Sequence, residues 1–155
     1  MPQLVKGGKH VYGWSKVGQT GTVAVPDEAL KDYNLKPPSK VILMTASKRS
    51  GGFAITTPSL LRNSKLSVIL DKMPRLAEFQ LPEGEPVKMA TKTYCWVKLN
   101  SNKTFNVPLE TLNKYGVNAG DQLLLVRGSG LALAFIVKGS LIEEARKHVS
   151  LPTFN

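Results

Sequence analysis

The sequence predicts a mainly β protein with short helices, in which two copies of a strand–strand–helix–strand–strand unit form one pseudo-symmetric body. Three observations support this prediction. The chain resembles itself at an offset of 82 residues. Each copy contains short runs of alternating apolar and polar residues, separated by turn-forming residues. A unit of about 48 residues buries too little surface to be stable alone, which favours two units that share one core.

The internal repeat aligns the two tryptophans of the protein with each other, Trp14 with Trp96. Without any gap, 12 of the 48 positions that begin at Tyr12 are identical to the residue 82 positions later. We therefore expect a duplicated unit, because this agreement rarely arises by chance. The identical residues of the first copy are Tyr12, Trp14, Lys16, Thr22, Val25, Pro26, Glu28, Leu30, Tyr33, Leu43, Ser47 and Phe53.

Both copies predict the same elements in the same order. A proline follows the second strand of each copy; it cannot donate to a sheet, but it suits the first turn of a helix. Asn34 and Gly116 lie where a left-handed residue is expected to end that helix. The first copy predicts strands at 11–17, 22–25, 41–45 and 53–56 and a helix at 27–33; the second predicts strands at 93–99, 104–107, 123–127 and 133–137 and a helix at 109–115.

Two further segments differ in character from the repeats. The link between the copies is weakly helical, is interrupted by Pro74 and ends in an acidic turn. The tail that follows the second copy predicts a helix capped by Ser140. We expect both segments to cover an open edge of the body. The predicted organisation is a first repeat at 9–59, a link at 60–90, a second repeat at 91–139 and a C-terminal helix and tail at 140–155.

The segments VAVPDEALKDYNLKPPSKVILM and FNVPLETLNKYGVNAGDQLLLV share a strand, a Val-Pro-x-Glu start of a helix, a Gly or Asn and a final apolar strand. This pattern resembles the AbrB/SpoVT/MraZ superfamily of swapped-hairpin DNA-binding proteins. The resemblance covers both repeats and is closer in the second. It implies two interleaved halves that form a swapped-hairpin-type pseudo-dimeric barrel, here within one chain, with double-stranded DNA as the partner.

The sequence departs from the family at the turn before the second strand. Members usually carry an Asp and a Gly-Arg pair there. The corresponding residues are Gly18 and Gly21-Thr22 in the first copy, and Asn100 and Lys103-Thr104 in the second. Both copies thus keep the scaffold positions and lack the arginine beside the recognition face.

The charge of the chain favours a polyanion as partner. The formal net charge is +10, and such an excess is typical of proteins that bind nucleic acid. Residues 1–77 carry 12 Lys and Arg against four Asp and Glu, a net +8, whereas residues 78–155 carry nine against seven, a net +2. We therefore expect the first repeat to contribute more to binding than the second. A lysine-rich solvated surface is the competing interpretation.

Lysine and arginine beside Gly, Ser, Asn, Gln and Thr suit contact with phosphates and grooves, because cations supply affinity and polar side chains supply hydrogen bonds. Together with this composition, the resemblance to the AbrB-like proteins implies a DNA-binding transcriptional regulator. The alternatives are a protein-interaction or small-ligand-binding barrel that has lost DNA binding, and an RNA-binding protein. The candidate nucleic-acid-binding residues are Lys9, His10, Lys16, Gln19, Thr20, Lys48, Arg49, Lys92, Lys98, Asn102, Lys103 and Arg127.

The tryptophans allow two interpretations. Next to Lys16 and Lys98, they could stack on bases. Alternation places Tyr12 and Trp14 on the same strand face, as it does their counterparts in the second copy, which favours packing in the body of the protein.

The composition does not favour an enzyme. Neither histidine has a cysteine or carboxylate at metal-ligand spacing, and Cys95, the single cysteine, lies in an apolar strand where a structural role is expected. We therefore predict no catalytic residue, metal or cofactor. A single cysteine, a start without a signal peptide and the lack of a long apolar run predict a cytoplasmic protein without membrane contact. The sequence leaves self-association open.

Overall fold

The computed structural model describes residues 4–6, 9–127, 129–147 and 150–155, and these residues form a mainly β structure with short helices. None of the helices within these ranges is long and apolar enough to cross a membrane. The strands are β1 (Leu4–Lys6), β2 (Lys9–Lys16), β3 (Thr22–Ala24), β4 (Ser39–Thr45), β5 (Phe53–Thr56), β6 (Val87–Met89), β7 (Lys92–Leu99), β8 (Thr104–Asn106), β9 (Gln122–Arg127), β10 (Leu133–Ile136) and β11 (Thr153–Phe154). The helices are α1 (Asp27–Asp32), α2 (Pro58–Leu61), α3 (Val68–Lys72), α4 (Pro74–Ala77), α5 (Leu109–Lys114) and α6 (Ser140–Arg146), with a 3-10 turn at Lys65–Ser67.

The expected closed barrel is not found. Within the described residues, the strands of the large sheet pair in the order β1-β2-β9-β10-β5-β4-β7-β6, so that β1 and β6 form its two ends. β11 adds to β2 in parallel, which makes the sheet mixed. Among the strands that the structure describes, β3 and β8 pair only with each other, in a separate two-stranded ribbon. The large sheet stays open because β2 and β7, the outermost strands of the two repeats, pair with β1 and β6, while β3 and β8 pair with each other.

The strands of each half pair with strands of the other half. β2 pairs antiparallel with β9, and β4 pairs antiparallel with β7. The registers correspond at the offset of 82 residues: Trp14 lies opposite Leu124, and Trp96 lies opposite Ile42. The same element order and the same cross-pairings therefore occur in both halves of the chain.

The pairing of corresponding residues with each other at two places is the pattern expected of a pseudo-two-fold axis through the middle of the molecule. On the large sheet this axis passes between Phe53 of β5 and Phe135 of β10, which lie opposite each other. On the ribbon it passes between Val23 of β3 and Phe105 of β8, which also lie opposite each other. Both pairs are separated by 82 residues, so corresponding positions meet at the axis.

The main core lies between the inner face of the large sheet and the ribbon with helices α1 and α5. Phe53, Phe105 and Phe135 are fully buried there and contact one another. Tyr33 and Tyr115, at the ends of the two short helices, are buried in the same cluster. Burial of aromatic side chains at this centre is a major source of stability.

The link and the tail pack against the outer face of the large sheet as well as extending its edges. Link residues Ile69 and Leu76 are buried with Ile42 and Trp96, and tail residue Ile142 is buried with the outer side chains of β9. The expectation that these segments cover only an open edge is therefore incomplete. A sheet with apolar residues on both faces needs a second covering layer, which these segments supply.

The helix ends predicted from local sequence signals agree with the structure, with small differences. Asn34 and Gly116 adopt left-handed backbone conformations after α1 and α5, with φ of 53° and 77°. Pro74 interrupts the link helix as expected and starts α4. Ser140 is the first residue of α6 and not its cap, because Gly139 takes the cap position and no side chain bonds to the helix start.

Candidate nucleic-acid interface

Two turns with different sequences follow the same backbone path. The first, residues 18–21, reads GQTG, and the second, residues 100–103, reads NSNK. The amide of Gly18 donates to the carbonyl of Thr22 at 2.9 Å, and the amide of Asn100 donates to that of Thr104 at 2.8 Å. Gly21 and Lys103, which correspond in the repeat, both have positive φ, 85° and 68°. The two turns are therefore equivalent loops.

The ribbon holds the turns at its two ends. The amide of Val107 donates to the carbonyl of Gly21 at 3.0 Å, and that of Val25 donates to the carbonyl of Lys103 at 2.9 Å. Each turn is thus attached to the other half of the chain. A Cβ on Gly21 would lie 2.0 Å from the carbonyl oxygen of Val107, so this close approach requires glycine.

The ribbon and the turns present polar side chains. Val23 and Phe105 point into the core, whereas Thr22 and Asn106 lie on the other face of the ribbon. The hydroxyl of Thr22 donates to the side-chain oxygen of Asn106 at 2.6 Å. In the second turn the hydroxyl of Thr104 donates to the side-chain oxygen of Asn102 at 2.6 Å. Together with exposed Gln19, Thr20 and Ser101, these residues form a surface of hydrogen-bonding groups, which we call the turn face.

The cations of the turn face are distributed unequally. Lys16 and Lys98, at the ends of β2 and β7, are exposed. Lys98 lies opposite exposed Lys40 of β4, whereas Lys16 lies opposite Gln122 of β9. Like charges at directly opposed positions of a sheet are destabilising. The Lys40 ammonium lies over the rings of Trp96 and Phe79, 5.3 and 5.6 Å from their centroids, so it points to the outer face of the large sheet and not to the turn face.

Lys103 forms an ion pair with Asp27, the first residue of α1. Its Nζ lies 2.6 Å from the Asp27 carboxylate, and the two side chains are 49% and 77% exposed. Exposed ion pairs contribute at most about 1 kcal/mol, so an anionic ligand can replace the carboxylate at small cost.

Half of the predicted binding residues lie at the turn face, and the others do not. Lys92 and Lys98 lie at opposite ends of β7, roughly 20 Å apart at the usual rise of a strand. The side chain of Lys9 lies outside the described part of the structure. The predicted residues at the turn face are Lys16, Gln19, Thr20, Lys98, Asn102 and Lys103; those at the far ends of the strands and on the hairpin between β4 and β5 are His10, Lys48, Arg49, Lys92 and Arg127.

Arg127 and His10 belong to a network that holds α1 on the sheet. The hydroxyl of Tyr12 donates to the carboxylate of Asp32 at 2.6 Å, and the Arg127 guanidinium lies 3.6 Å from the same oxygen. His10 lies 3.2 Å from Glu28 of the same helix. Burial, followed by the hydrogen bond to Asp32, raises the pKa of Tyr12 well above its ordinary value. These contacts give both residues a structural role.

The two tryptophans pack on the outer face of the large sheet, beneath the tail and the link. The indole NH of Trp96 donates to the carbonyl of Leu81 at 2.6 Å, and the ring contacts Phe79. Tyr12 and Trp14 lie on opposite faces, because the register of β2 against β9 shifts between Val11 and Gly13. The expectation that these two side chains share a face is therefore wrong, although Tyr94 and Trp96 do share one.

Cys95 lies in the core beside Tyr115. Burial raises the pKa of the thiol to about 11, and the Tyr115 hydroxyl lies 3.7 Å from the sulfur. A buried thiol that stays protonated is not a nucleophile. Among the described residues, no group of three or more His, Cys, Asp and Glu side chains could hold a metal ion.

Four contributors to the turn face are not among the residues predicted from sequence: Thr22, Ser101, Thr104 and Asn106. Thr22 and Asn106 belong to it through the pairing of β3 with β8 in the ribbon. The identity of Thr22 and Thr104 in the repeat is a sequence signal for the ribbon.

Comparison with protein families, with curated proteins and with solved structures finds no match to this chain. The class of the protein is accordingly inferred from its fold and from the geometry of the turn face.

Proposed function

We propose that the protein is a DNA-binding regulator of the swapped-hairpin class, whose two halves are copies of one unit and whose turn face contacts double-stranded DNA. One observation carries the proposal: the two equivalent turns lie at the two ends of the β3–β8 ribbon, about a pseudo-two-fold axis. Duplex DNA also has two-fold symmetry, and two-fold symmetric proteins commonly use it.

The chemistry of the turn face supports contact with both phosphates and bases. Lys16, Lys98 and Lys103 supply positive charge for phosphate oxygens. Gln19 and Asn102 are exposed amides, which can donate and accept hydrogen bonds at base edges. The lysines would supply most of the affinity, and the amides would supply sequence preference.

The backbone of Lys103 supports a functional role for its side chain. A left-handed conformation costs a residue with a Cβ roughly 1–2 kcal/mol, and glycine avoids this cost. The corresponding position in the first turn is Gly21. Strained conformations of non-glycine residues are frequent at functional sites. A lysine kept in this conformation on an exposed turn is consistent with phosphate binding.

The second turn contributes more positive charge than the first under this proposal. Lys98 and Lys103 belong to it, whereas the first turn has Lys16 alone. The excess of positive charge in residues 1–77 therefore does not predict the charge at the first turn, because most of that excess belongs to other segments of the first half.

The test is fluorescence anisotropy with a labelled DNA duplex of mixed sequence at several salt concentrations. We expect the logarithm of affinity to fall linearly with the logarithm of salt, and the Lys98→Ala/Lys103→Ala variant to reduce the slope by about 2. The matched control is Lys65→Ala/Lys72→Ala, which removes two exposed lysines of the link. No binding at about 50 mM salt, or equal losses in both variants, would contradict the proposal.

RNA is tested in the same experiment. A duplex of RNA presents the A-form, whose deep and narrow major groove excludes most side chains. Preference for the DNA duplex over the RNA duplex of the same sequence is the expected result. The reverse preference would assign the turn face to RNA.

A further inference from the structure

A groove on the outer face of the large sheet lies on the side of the sheet opposite the β3–β8 ribbon. Phe53 and Ala54 are consecutive residues of β5, and their side chains point to opposite faces. Phe53 contacts Phe105 of the ribbon, so the ribbon lies on the Phe53 side. The groove is lined by Ala54 and by Ala134, which lies opposite it in β10. Its volume is about 480 Å³.

The floor of the groove is apolar. It forms a depression because the central pair of side chains is small. Ala54 and Ala134 have only methyl groups, whereas Met44 and Ile136 on either side of them are large. The start of α6, around Leu141, forms one wall. The floor thus remains a depression between larger side chains, of a volume that suits a small organic molecule.

The rim of the groove is cationic. Arg49, Lys92 and Lys138 line it, and none of the residues that line it is acidic. Within the described residues, none of these three cations takes part in an ion pair. Lys92 donates from Nζ to the carbonyl of Thr45 at 2.8 Å, which holds its ammonium group at the rim. Three cations close together without a carboxylate repel one another, and an anion would relieve that repulsion.

We propose that this groove binds a small amphiphilic anion, with an apolar body on Ala54 and Ala134 and a carboxylate or phosphate group facing Arg49, Lys92 and Lys138. Hydroxyl groups of Ser47, Ser50 and Ser129, which also line the groove, supply hydrogen bonds to the same head group. The proposal does not depend on DNA binding, because none of the residues that line the groove belongs to the turn face.

The test is NMR of protein labelled at alanine methyl groups, titrated with octanoate, octyl phosphate, octan-1-ol and octylamine. We expect the two anions to shift the methyl signals of Ala54 and Ala134, and the neutral and cationic compounds to bind at least about tenfold more weakly, a difference that a single favourable charge contact can supply. Whichever of octanoate and octyl phosphate binds more tightly identifies the head group. Unshifted methyl signals with both anions, or equal binding of octan-1-ol, would overturn the proposal.

Two variants test separately whether ligand binding needs the positive charge at the rim and the depression in the floor of the groove. Lys138→Glu should weaken octanoate binding about tenfold, whereas Lys36→Glu, an equal change of net charge at an exposed site outside the groove, should leave it unchanged. Ala134→Leu fills the floor and should abolish binding while the protein still unfolds cooperatively. Equal effects of Lys138→Glu and Lys36→Glu would reduce the interaction to non-specific attraction and would contradict the proposed site.

Discussion

Phe53 and Phe135 lie opposite each other in β5 and β10, 82 residues apart in sequence, with stacked rings whose centroids are 5.0 Å apart. Phe105 of the ribbon meets both rings edge-on, at 6.0 and 5.7 Å. The centre of the core is therefore built from side chains of both halves. Neither half has a complete core of its own, so we expect one cooperative folding unit.

Replacing Phe53 or Phe135 with alanine should strongly destabilise the protein, and the effect of one replacement should depend on the presence of the other. Phe53→Ala and Phe135→Ala should each lower the free energy of unfolding by about 3–5 kcal/mol, because each leaves a cavity at the centre. The double variant should lower the free energy of unfolding by less than the sum of the two single variants, because the stacked rings contact each other. Urea unfolding followed by circular dichroism measures this; Val68→Ala, at an exposed site, is the control. Two separate transitions would contradict the shared core.

The order of the elements within each repeat was predictable from the sequence because the signals for it are local, whereas strands β1, β6 and β11 outside the repeats were not predicted. Alternating residues, the prolines before α1 and α5, and the left-handed residues Asn34 and Gly116 each act over a few positions. The repeat also predicted that the two halves would have corresponding elements. What it could not supply was the partner of each strand, because pairing depends on contacts between residues far apart in the chain.

Two residues illustrate this limit. Lys40 lies opposite Lys98 only because β4 pairs with β7, and nothing near it in sequence indicates that neighbour. Tyr12 and Trp14 lie on opposite faces although alternation predicts the same face, because a bulge at Tyr12 reverses the phase of the strand. Arg49 and Lys92 were predicted to contact nucleic acid from their charge alone, and the fold places them at the rim of the groove.

Gly52 and Gly116 share a φ of 77° but differ in their surroundings. The energetic cost of a left-handed backbone and that of a steric clash can therefore be measured separately at these two positions. A Cβ on Gly52 would lie 1.9 Å from the carbonyl oxygen of Phe135, whereas one on Gly116 would meet nothing within 4 Å. Gly116→Ala should cost about 1 kcal/mol, from the left-handed conformation alone. Gly52→Ala should cost clearly more, because backbone of β10 must move. Equal melting temperatures of the two variants would show that the backbone adapts at Gly52.

Lys103→Gly should weaken binding of the DNA duplex without lowering the stability of the protein. Glycine removes the cost of the left-handed conformation, which offsets the loss of the ion pair with Asp27. We expect the free energy of unfolding to stay unchanged or to rise by up to about 1 kcal/mol, while affinity for the DNA duplex falls. Ala90→Gly, at another exposed residue with positive φ of 56°, is the control and should leave binding unchanged. Loss of stability without loss of affinity in Lys103→Gly would assign the lysine a purely structural role.

The buried thiol and phenol groups predict that stability falls in alkaline solution. Burial raises the pKa of Cys95 from 9.0 to about 11 and that of Tyr33 from 10.0 to about 12. Above pH 9 the unfolded chain releases these protons whereas the folded chain keeps them, so unfolding becomes progressively more favourable as pH rises. The stabilisation is complete below about pH 9 and is lost through about pH 12.

Urea unfolding at intervals from about pH 8 to about pH 11 measures this dependence. Cys95→Ala should be less stable than the parent protein at about pH 8, because it leaves a cavity, but its stability should fall less steeply between about pH 9 and pH 11. Tyr33→Phe, which also loses the 2.6 Å hydrogen bond to the carbonyl of Ser129, should show the same flattening from about pH 10. If both variants follow the parent slope, these two groups ionise alike in the folded and unfolded chains, and burial of the thiol and phenol does not set the alkaline limit of stability.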